Sequence, residues 1–257
     1  MTALSLRTRM LRGDILAGTF LKTPSHELVE IFAMSGMDFI ALDAEHAPFD
    51  RARTDACLAV ARALDFPVLV RVPDGTQAEI LKVMDCGATG IIIPHVATPE
   101  KARDIAKWSR FGYGGRGYAG STRWAGFTSR TMPELLKQSA EETIVIAQIE
   151  EPEGVDAIDA IAATEGLDGV FVGPADLAVC LGKDDPAAPE VRDAMGVVGA
   201  SAKRHGRACM TFIPNTDSAA EMQKLGMSMF FVGSEQSFVL SAARDITKNL
   251  HALDKGN

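Results

Sequence analysis

Eight short apolar runs punctuate the chain, at residues 15–20, 39–43, 67–72, 90–94, 143–149, 169–173, 207–212 and 229–233. Most are rich in Val and Ile and stay apolar at successive positions, without the alternation of a half-exposed strand. That is the pattern of strands buried on both faces, as in a parallel sheet covered by helices. Amphipathic stretches lie between them. Residues 25–35 (SHELVEIFAMS) set Leu28, Ile31, Phe32 and Ser35 along one helical face, with Ser25 as the N-cap after Pro24. Residues 76–86 and 217–225 have the same character.

One junction recurs. SGMDFIAL, CGATGIII, EGLDGVFV and LGMSMFFV each place a glycine (Gly36, Gly87, Gly166, Gly226) between a helical stretch and an apolar run. Glycine there suits the left-handed position that ends a helix and turns the chain into a strand. Repeated helix–glycine–strand units predict parallel strands joined by helices. Eight of them close most economically into an α/β (β/α)8 TIM barrel, a single domain over residues 1–257, and the length fits. A doubly wound open sheet is the alternative. Two spacings are long: the glycine-rich 111–130, FGYGGRGYAGSTRWAGFTSR, and an extra helical segment at 188–205. Both are expected on the strand-to-helix side, the first as an Arg-bearing loop over the barrel mouth.

Composition narrows the function classes. With 47% hydrophobic but only 6% aromatic residues, the core is built from Ala, Val, Ile, Leu and Met, and disorder is excluded. A net charge of −8, with no basic stripe, argues against nucleic-acid binding. No apolar run approaches the ~20 residues of a membrane span, and the N-terminal MTALSLRTRMLRGD lacks a signal peptide's apolar stretch, so a cytoplasmic protein is expected. Cys57, Cys86, Cys180 and Cys209 are far apart, form no CxxC, and read as core thiols. GYGGRG at 112–117 matches GxGxxG by letter but follows a helical stretch rather than a strand, which excludes dinucleotide binding there. No apolar run carries an interior Lys, which argues against a Schiff-base mechanism.

In a barrel, chemistry collects at the C-terminal ends of the strands. Those positions hold Asp43, Glu45 and His46; Arg71; His95; Gln148 and Glu150; and Asp176, followed by the ends TFIPN and FVGSEQ. Arg71, flanked by Val68, Leu69, Val70 and Val72, must be buried and paired, because a lone buried charge is very costly. Gln148 and Glu150 are two apart and so share a side of their strand. Glu150 and Asp176 are either helix-capping acids or oxygen ligands of a divalent cation such as Mg2+ or Mn2+. His46 is either a solvated loop residue or a general base. His95 carries no assignment.

The blocks FIALDAEHAPFD, VLVRVPDG, AQIEEPEGVDAI and GLDGVFVGPADLAVCLG, in this order, resemble the HpcH/HpaI family of class II pyruvate aldolases, from GTFLKTPSHELVEI to FVGSEQ. The resemblance implies a homohexamer of (β/α)8 barrels that exchange a C-terminal helix. It implies a divalent cation (Mg2+ or Mn2+, with Co2+ or Zn2+ as further options) held by Glu150 and Asp176. A 2-oxo acid would chelate the cation and contact Gln148, Gly173, Pro174, Ala175 and Asp176. Arg71 would face the keto oxygen and His46 would be the base, with Asp85 of a neighbouring subunit raising its basicity and Asp43 in support. Phe20 and Phe212 would line the aldehyde side. The implied activity is reversible aldol addition between a 2-oxo acid such as pyruvate and an aldehyde. Two other readings stand beside it: a lyase on CoA thioesters, like relatives of the citrate lyase β chain, and a non-catalytic 2-oxo acid binding protein.

Overall fold

In the computed structural model, which describes residues 4–253, the eight apolar runs are eight strands: β1 (Leu16–Leu21), β2 (Phe39–Asp43), β3 (Val68–Arg71), β4 (Gly90–Ile93), β5 (Ile144–Ile149), β6 (Gly169–Val172), β7 (Ala208–Ile213) and β8 (Met229–Ser234). Each pairs in parallel with the next, and β8 closes on β1. Helix α1 (Leu6–Arg12) precedes the barrel. The crossovers are α2 (His26–Met34), α3 (Arg51–Ala63), α4 (Gln77–Cys86), α5 (Pro99–Trp108) with α6 (Met132–Glu142), α7 (Pro152–Asp156) with α8 (Ile158–Ala162), α9 (Pro174–Cys180) with α10 (Pro189–Arg204), and α11 (Ala219–Lys224). Helix α12 (Glu235–Leu253) follows β8. This is the (β/α)8 barrel expected, over the described residues.

The four junction glycines all have positive φ, from 84° at Gly36 to 111° at Gly87, a conformation that costs glycine no Cβ clash. Ser25 caps α2 by accepting the Leu28 amide. The buried face of α2 is Val29 and Phe32, while Ile31 is exposed. Periodicity found the stripe but set it one row off, because adjacent rows of a helix differ by only a fraction of a turn.

Strand alternation sorts side chains into two layers. Outward residues such as Leu21, Ile40, Leu42, Val70, Ile93, Ala147, Ile149 and Val172 pack under the helices. Inward residues, including Phe20, Phe39, Leu69, Ile146, Phe171, Met210 and Phe231, fill the barrel and form its floor. The next inward positions up the strands are polar: Asp43, Arg71, Gln148 and Glu150. The apolar plug therefore ends where the charged mouth begins.

Residues 111–130 lie elsewhere than expected. Helix α5 has already carried the chain back, so this segment starts at the opposite end of the barrel. Arg110, at its base, donates to the carbonyls of Thr143 and Gly166 and to Asp168, all just before β5 and β6. Arg116 is buried between the rings of Phe111 and Trp124 and donates to Asp85 at the end of α4. The segment is an outer brace and not a cover over the mouth. The 188–205 stretch is the crossover helix α10 itself, and the extra element on the strand-to-helix side is the short α9. Of the cysteines, Cys57, Cys86 and Cys209 are buried as expected, but Cys180 is exposed on α9.

Candidate active site

The mouth is built on alternation. Asp43 and Arg71 are register partners on β2 and β3, and both point inward. Arg71 Nε and Nη2 donate to Asp43 Oδ1 and Oδ2 at 3.1 and 2.8 Å, the two-pronged fit of a guanidinium on a carboxylate. Phe20 lies beneath, with the guanidinium carbon 4.6 Å from its ring centre. Phe20 is thus a stacked support in the barrel floor, against Phe231, and not a wall of the aldehyde side. Asp43 also accepts the backbone N–H of His46, which fixes the turn that carries the histidine. Burial alone would raise the Asp43 carboxyl; the hydrogen bonds and charge of Arg71, helped by the His46 amide and Lys22, outweigh it and hold the group below the usual carboxylate range.

Glu45, two residues on from Asp43, reaches the same guanidinium, with Oε2 at 3.2 Å from Arg71 Nε. The histidines flank it: His46 Nε2 and His95 Nε2 each lie 3.6 Å from a Glu45 oxygen. Burial raises the Glu45 carboxyl, the nearby Glu150 adds to this, and Arg71 and the two histidines only partly offset it.

Glu150 is buried and held from two sides. It accepts the His95 backbone N–H at 2.8 Å, and its other oxygen accepts from Gln148 Nε2. The same-side placement of Gln148 and Glu150 is therefore as expected. Glu150 does not cap α7, whose N-cap is Glu151. His95 stands at φ 54°, unusual for a residue with a Cβ, and Lys101 Nζ pins that turn through the carbonyls of Pro94 and His95. The His95 ring adds contacts at 3.2 Å to Glu150 and 3.0 Å to Glu151. Gly173, at the end of β6, is the complement: a Cβ there would stand 3.0 Å from Glu150 Oε2.

Gly173 is the N-cap of α9, which sets Pro174, Ala175 and Asp176 in its first turn. Asp176 is exposed, and its charge acts on Cys180 together with those of Glu150 and Glu151. Phe212 lies half-buried at the wall of a cavity of about 420 Å3 that also touches Pro174 and Ala175. Asp85 is the residue the single chain does not bring in. Its carboxylate pairs with Arg116 at 2.6 Å and lines a separate depression with Arg51, Asp55 and Arg123. Glu45, His95 and Lys22 were given no role from sequence, yet all three touch the site. The signal for Glu45 and Lys22 was the two-residue step from Asp43 and from Phe20.

A divalent cation suits this donor set. The oxygens are hard ligands, and one buried acceptor beside Glu150, Gln148 Oε1, has no hydrogen-bond donor. Among the described residues no three His, Cys, Asp or Glu side chains are grouped so as to hold a metal ion by themselves.

Comparison with known proteins agrees with the geometry. The model of the HpcH/HpaI aldolase/citrate lyase family matches residues 16–242. A protein of Klebsiella pneumoniae subsp. pneumoniae named 5-keto-4-deoxy-D-glucarate aldolase is 36% identical over 219 residues, which is 84% of this chain and 85% of that one. The crystal structure of an HpcH/HpaI aldolase/citrate lyase family protein from Burkholderia cenocepacia J2315 superposes with a TM-score of 0.90 at 33% identity, covering 96% of this chain and 98% of the other. The citrate synthase SbnG gives a TM-score of 0.85 at 30% identity, over 97% of this chain and 100% of its own.

Proposed function

The chain belongs to the HpcH/HpaI aldolase/citrate lyase family, and from that premise we propose that it is a metal-dependent aldolase that reversibly joins a 2-oxo acid, such as pyruvate or a hydroxylated relative, to an aldehyde. The observation that carries the reading is the convergence of the Arg71 fork, Glu45, His46 and Glu150 on one barrel mouth.

Glu150 and Asp176 would hold the divalent cation, Mg2+ or Mn2+ by donor type, with Co2+ or Zn2+ as further options. When bound, it supplies Lewis-acid charge for the keto oxygen of the 2-oxo acid. Arg71 directs its guanidinium at the same oxygen, where negative charge grows as a proton leaves the neighbouring carbon. His46 takes that proton; its ring is half exposed, and its backbone is fixed on Asp43. Gln148 and the first turn of α9, from Gly173 to Asp176, seat the carboxylate, and Phe212 faces the aldehyde. The enolate carbon then attacks the aldehyde carbon, and the new alkoxide is protonated; cleavage runs in reverse. The CoA-thioester alternative loses support, because Arg110, Arg116 and Arg123 are each engaged with an aspartate away from the mouth.

Incubation with pyruvate and Mn2+ or Mg2+ in D2O should replace the methyl protons with deuterium, followed by loss of the methyl NMR signal. Binding without exchange would leave only a 2-oxo acid binding protein.

The same reading includes a homohexamer in which α12 is exchanged between subunits, with Asp85 reaching a neighbour's His46. Helix α12 exposes Val239, Ile246, Leu250 and Leu253 at spacings of seven, four and three, an apolar stripe with no covering element among the described residues. Light scattering should therefore give a mass near six times 27.4 kDa, and removal of α12 should lower it. A 27.4 kDa particle at micromolar concentration would refute the assembly.

A further inference from the structure

We propose that Lys101 is a positioning residue of the metal centre: it pins the turn after β4 in a left-handed conformation and so aims the His95 backbone N–H at Glu150. The inference rests on the reading of Glu150 as a cation ligand and extends it to a side chain outside the donor set.

After Ile93 the chain leaves β4 through Pro94 and His95. The His95 N–H donates to Glu150 Oε1 at 2.8 Å, and the next N–H, of Val96, donates to the Gln148 carbonyl at 3.0 Å. In a regular strand successive N–H groups point to opposite neighbours. Here both turn to β5, because His95 between them stands at φ 54°. Glycine adopts that conformation freely; histidine tolerates it better than most residues, but at a cost. Three other non-glycine residues have positive φ: Asp65 lies before β3, and Phe127 and Thr128 lie in the outer brace. Among the described residues, His95 is therefore the one that brings this conformation to the mouth.

Lys101 offsets that cost. It stands in the first turn of α5, where its own N–H donates to the N-cap Thr98, so its stem rises from a fixed point. Its Nζ donates to the carbonyls of Pro94 and His95 at 2.9 and 3.1 Å. These belong to the two peptide planes that flank the His95 Cα. A left-handed residue brings its flanking carbonyls to one side, where they repel, and an ammonium between them fixes both planes at once. Both hydrogen bonds of the ammonium go to this backbone rather than to a carboxylate, among the described residues.

Glu150 has one donor for each oxygen, the Gln148 amide and the His95 N–H, and the direction of the second depends on the turn. A turn that relaxed to the usual extended conformation would swing that N–H away and free the carboxylate to rotate. The positive charge of Lys101 has the opposite tendency. The ammonium is half-buried, and burial pulls it below its ordinary value against the charges of Glu151, Asp74, Glu150 and Glu45. Near those acids, a fixed cation competes with a bound one. As a pin Lys101 favours cation binding; as a bare charge it disfavours it. Removing the side chain therefore separates the two roles by sign.

The test is titration of the metal-free protein with Mn2+, read by electron paramagnetic resonance. Lys101→Met keeps most of the stem and loses the donors. Its Mn2+ affinity should fall ~10-fold, the scale for losing a group that orients a metal ligand. Lys101→Arg, which can still donate to both carbonyls, should retain most of the affinity. His95→Gly supplies the second arm. Glycine holds this conformation unaided, so within the His95→Gly background, where the ring's own contacts are already gone, adding Lys101→Met should cost no affinity or should raise it. Unchanged or tighter Mn2+ binding in Lys101→Met alone would overturn the proposal. An equal loss in both backgrounds would also overturn it, by showing a general disturbance of the barrel rather than of the turn. If the parent protein bound no Mn2+, the metal reading itself would fail, an outcome visible before any variant is made.

Discussion

Replacing Glu150 by Ala should abolish metal binding and turnover together. The carboxylate has no substitute in the mouth: it is buried, and its two oxygens are set by the His95 amide and by Gln148. Asp43 is forked onto Arg71, and Glu45 faces the same guanidinium and the two histidines. Neither can turn to the α9 side without giving up its contact with the buried Arg71 guanidinium, which is costly. Loss of one of two protein ligands should weaken Mn2+ affinity by well over the ~10–100-fold typical of changes around a metal's outer ligands. Turnover should fall by at least ~1,000-fold, since several kcal/mol of charge stabilisation is lost. Titration of the metal-free protein with Mn2+, read by electron paramagnetic resonance, measures the first effect apart from catalysis. Glu150→Gln is the control, since an amide oxygen can still accept the His95 N–H while the charge is gone. Asp176→Ala, on the exposed first turn of α9, should lose metal as well with less effect on folding. Undiminished Mn2+ affinity in Glu150→Ala would refute the ligand assignment.

Much of this was legible in the chain because the fold is repetitive. The strands are buried on both faces, and four of the junctions carry a glycine at positive φ; both markers are local. Site residues on a single strand were equally legible: Gln148 and Glu150 share a side because they are two apart, and Arg71 needed a partner because nothing around it was polar. What sequence could not supply was contact across strands and the end of the barrel at which a segment sits. Glu45 meets His95 only because β2 and β4 flank β3, and Lys22 meets Asp43 only because β1 pairs with β2. The length of 111–130 was plain, but its location depended on α5 having already reversed the chain. Asp85 shows the limit from the other side: its partner within the chain is Arg116, and any encounter with His46 requires a second subunit.

The second large effect is expected at Arg71. Its guanidinium is nearly completely buried, forked onto Asp43 and stacked on Phe20, so its direction is set before substrate arrives. A donor fixed in this way acts most strongly on charge that appears only as the enolate forms. Arg71→Lys keeps one positive charge but loses the planar fork. It should lower both pyruvate proton exchange and kcat by ~100–1,000-fold, the scale of a lost oxyanion donor, with a smaller change in KM. Arg71→Ala should do the same and also destabilise the fold by ~3–5 kcal/mol at neutral pH, because the buried Asp43 is left with Lys22 as its one cationic neighbour and the His46 amide as a donor. The pH dependence identifies the cause. In the parent protein the Asp43 carboxyl is held below its ordinary value, so its contribution is fully present above the unfolded value near ~3.9 and is lost as pH falls through the lower folded value. In Arg71→Ala burial is no longer offset by the guanidinium, the folded value rises, and the cost is felt above it. The stability gap between parent and variant, measured by urea unfolding, should therefore narrow as pH is lowered below ~4. A gap independent of pH would mean that Arg71 supports the barrel through its stacking on Phe20 rather than through Asp43. A loss of proton exchange under tenfold in Arg71→Lys would mean that the residue orients the 2-oxo acid without stabilising its enolate.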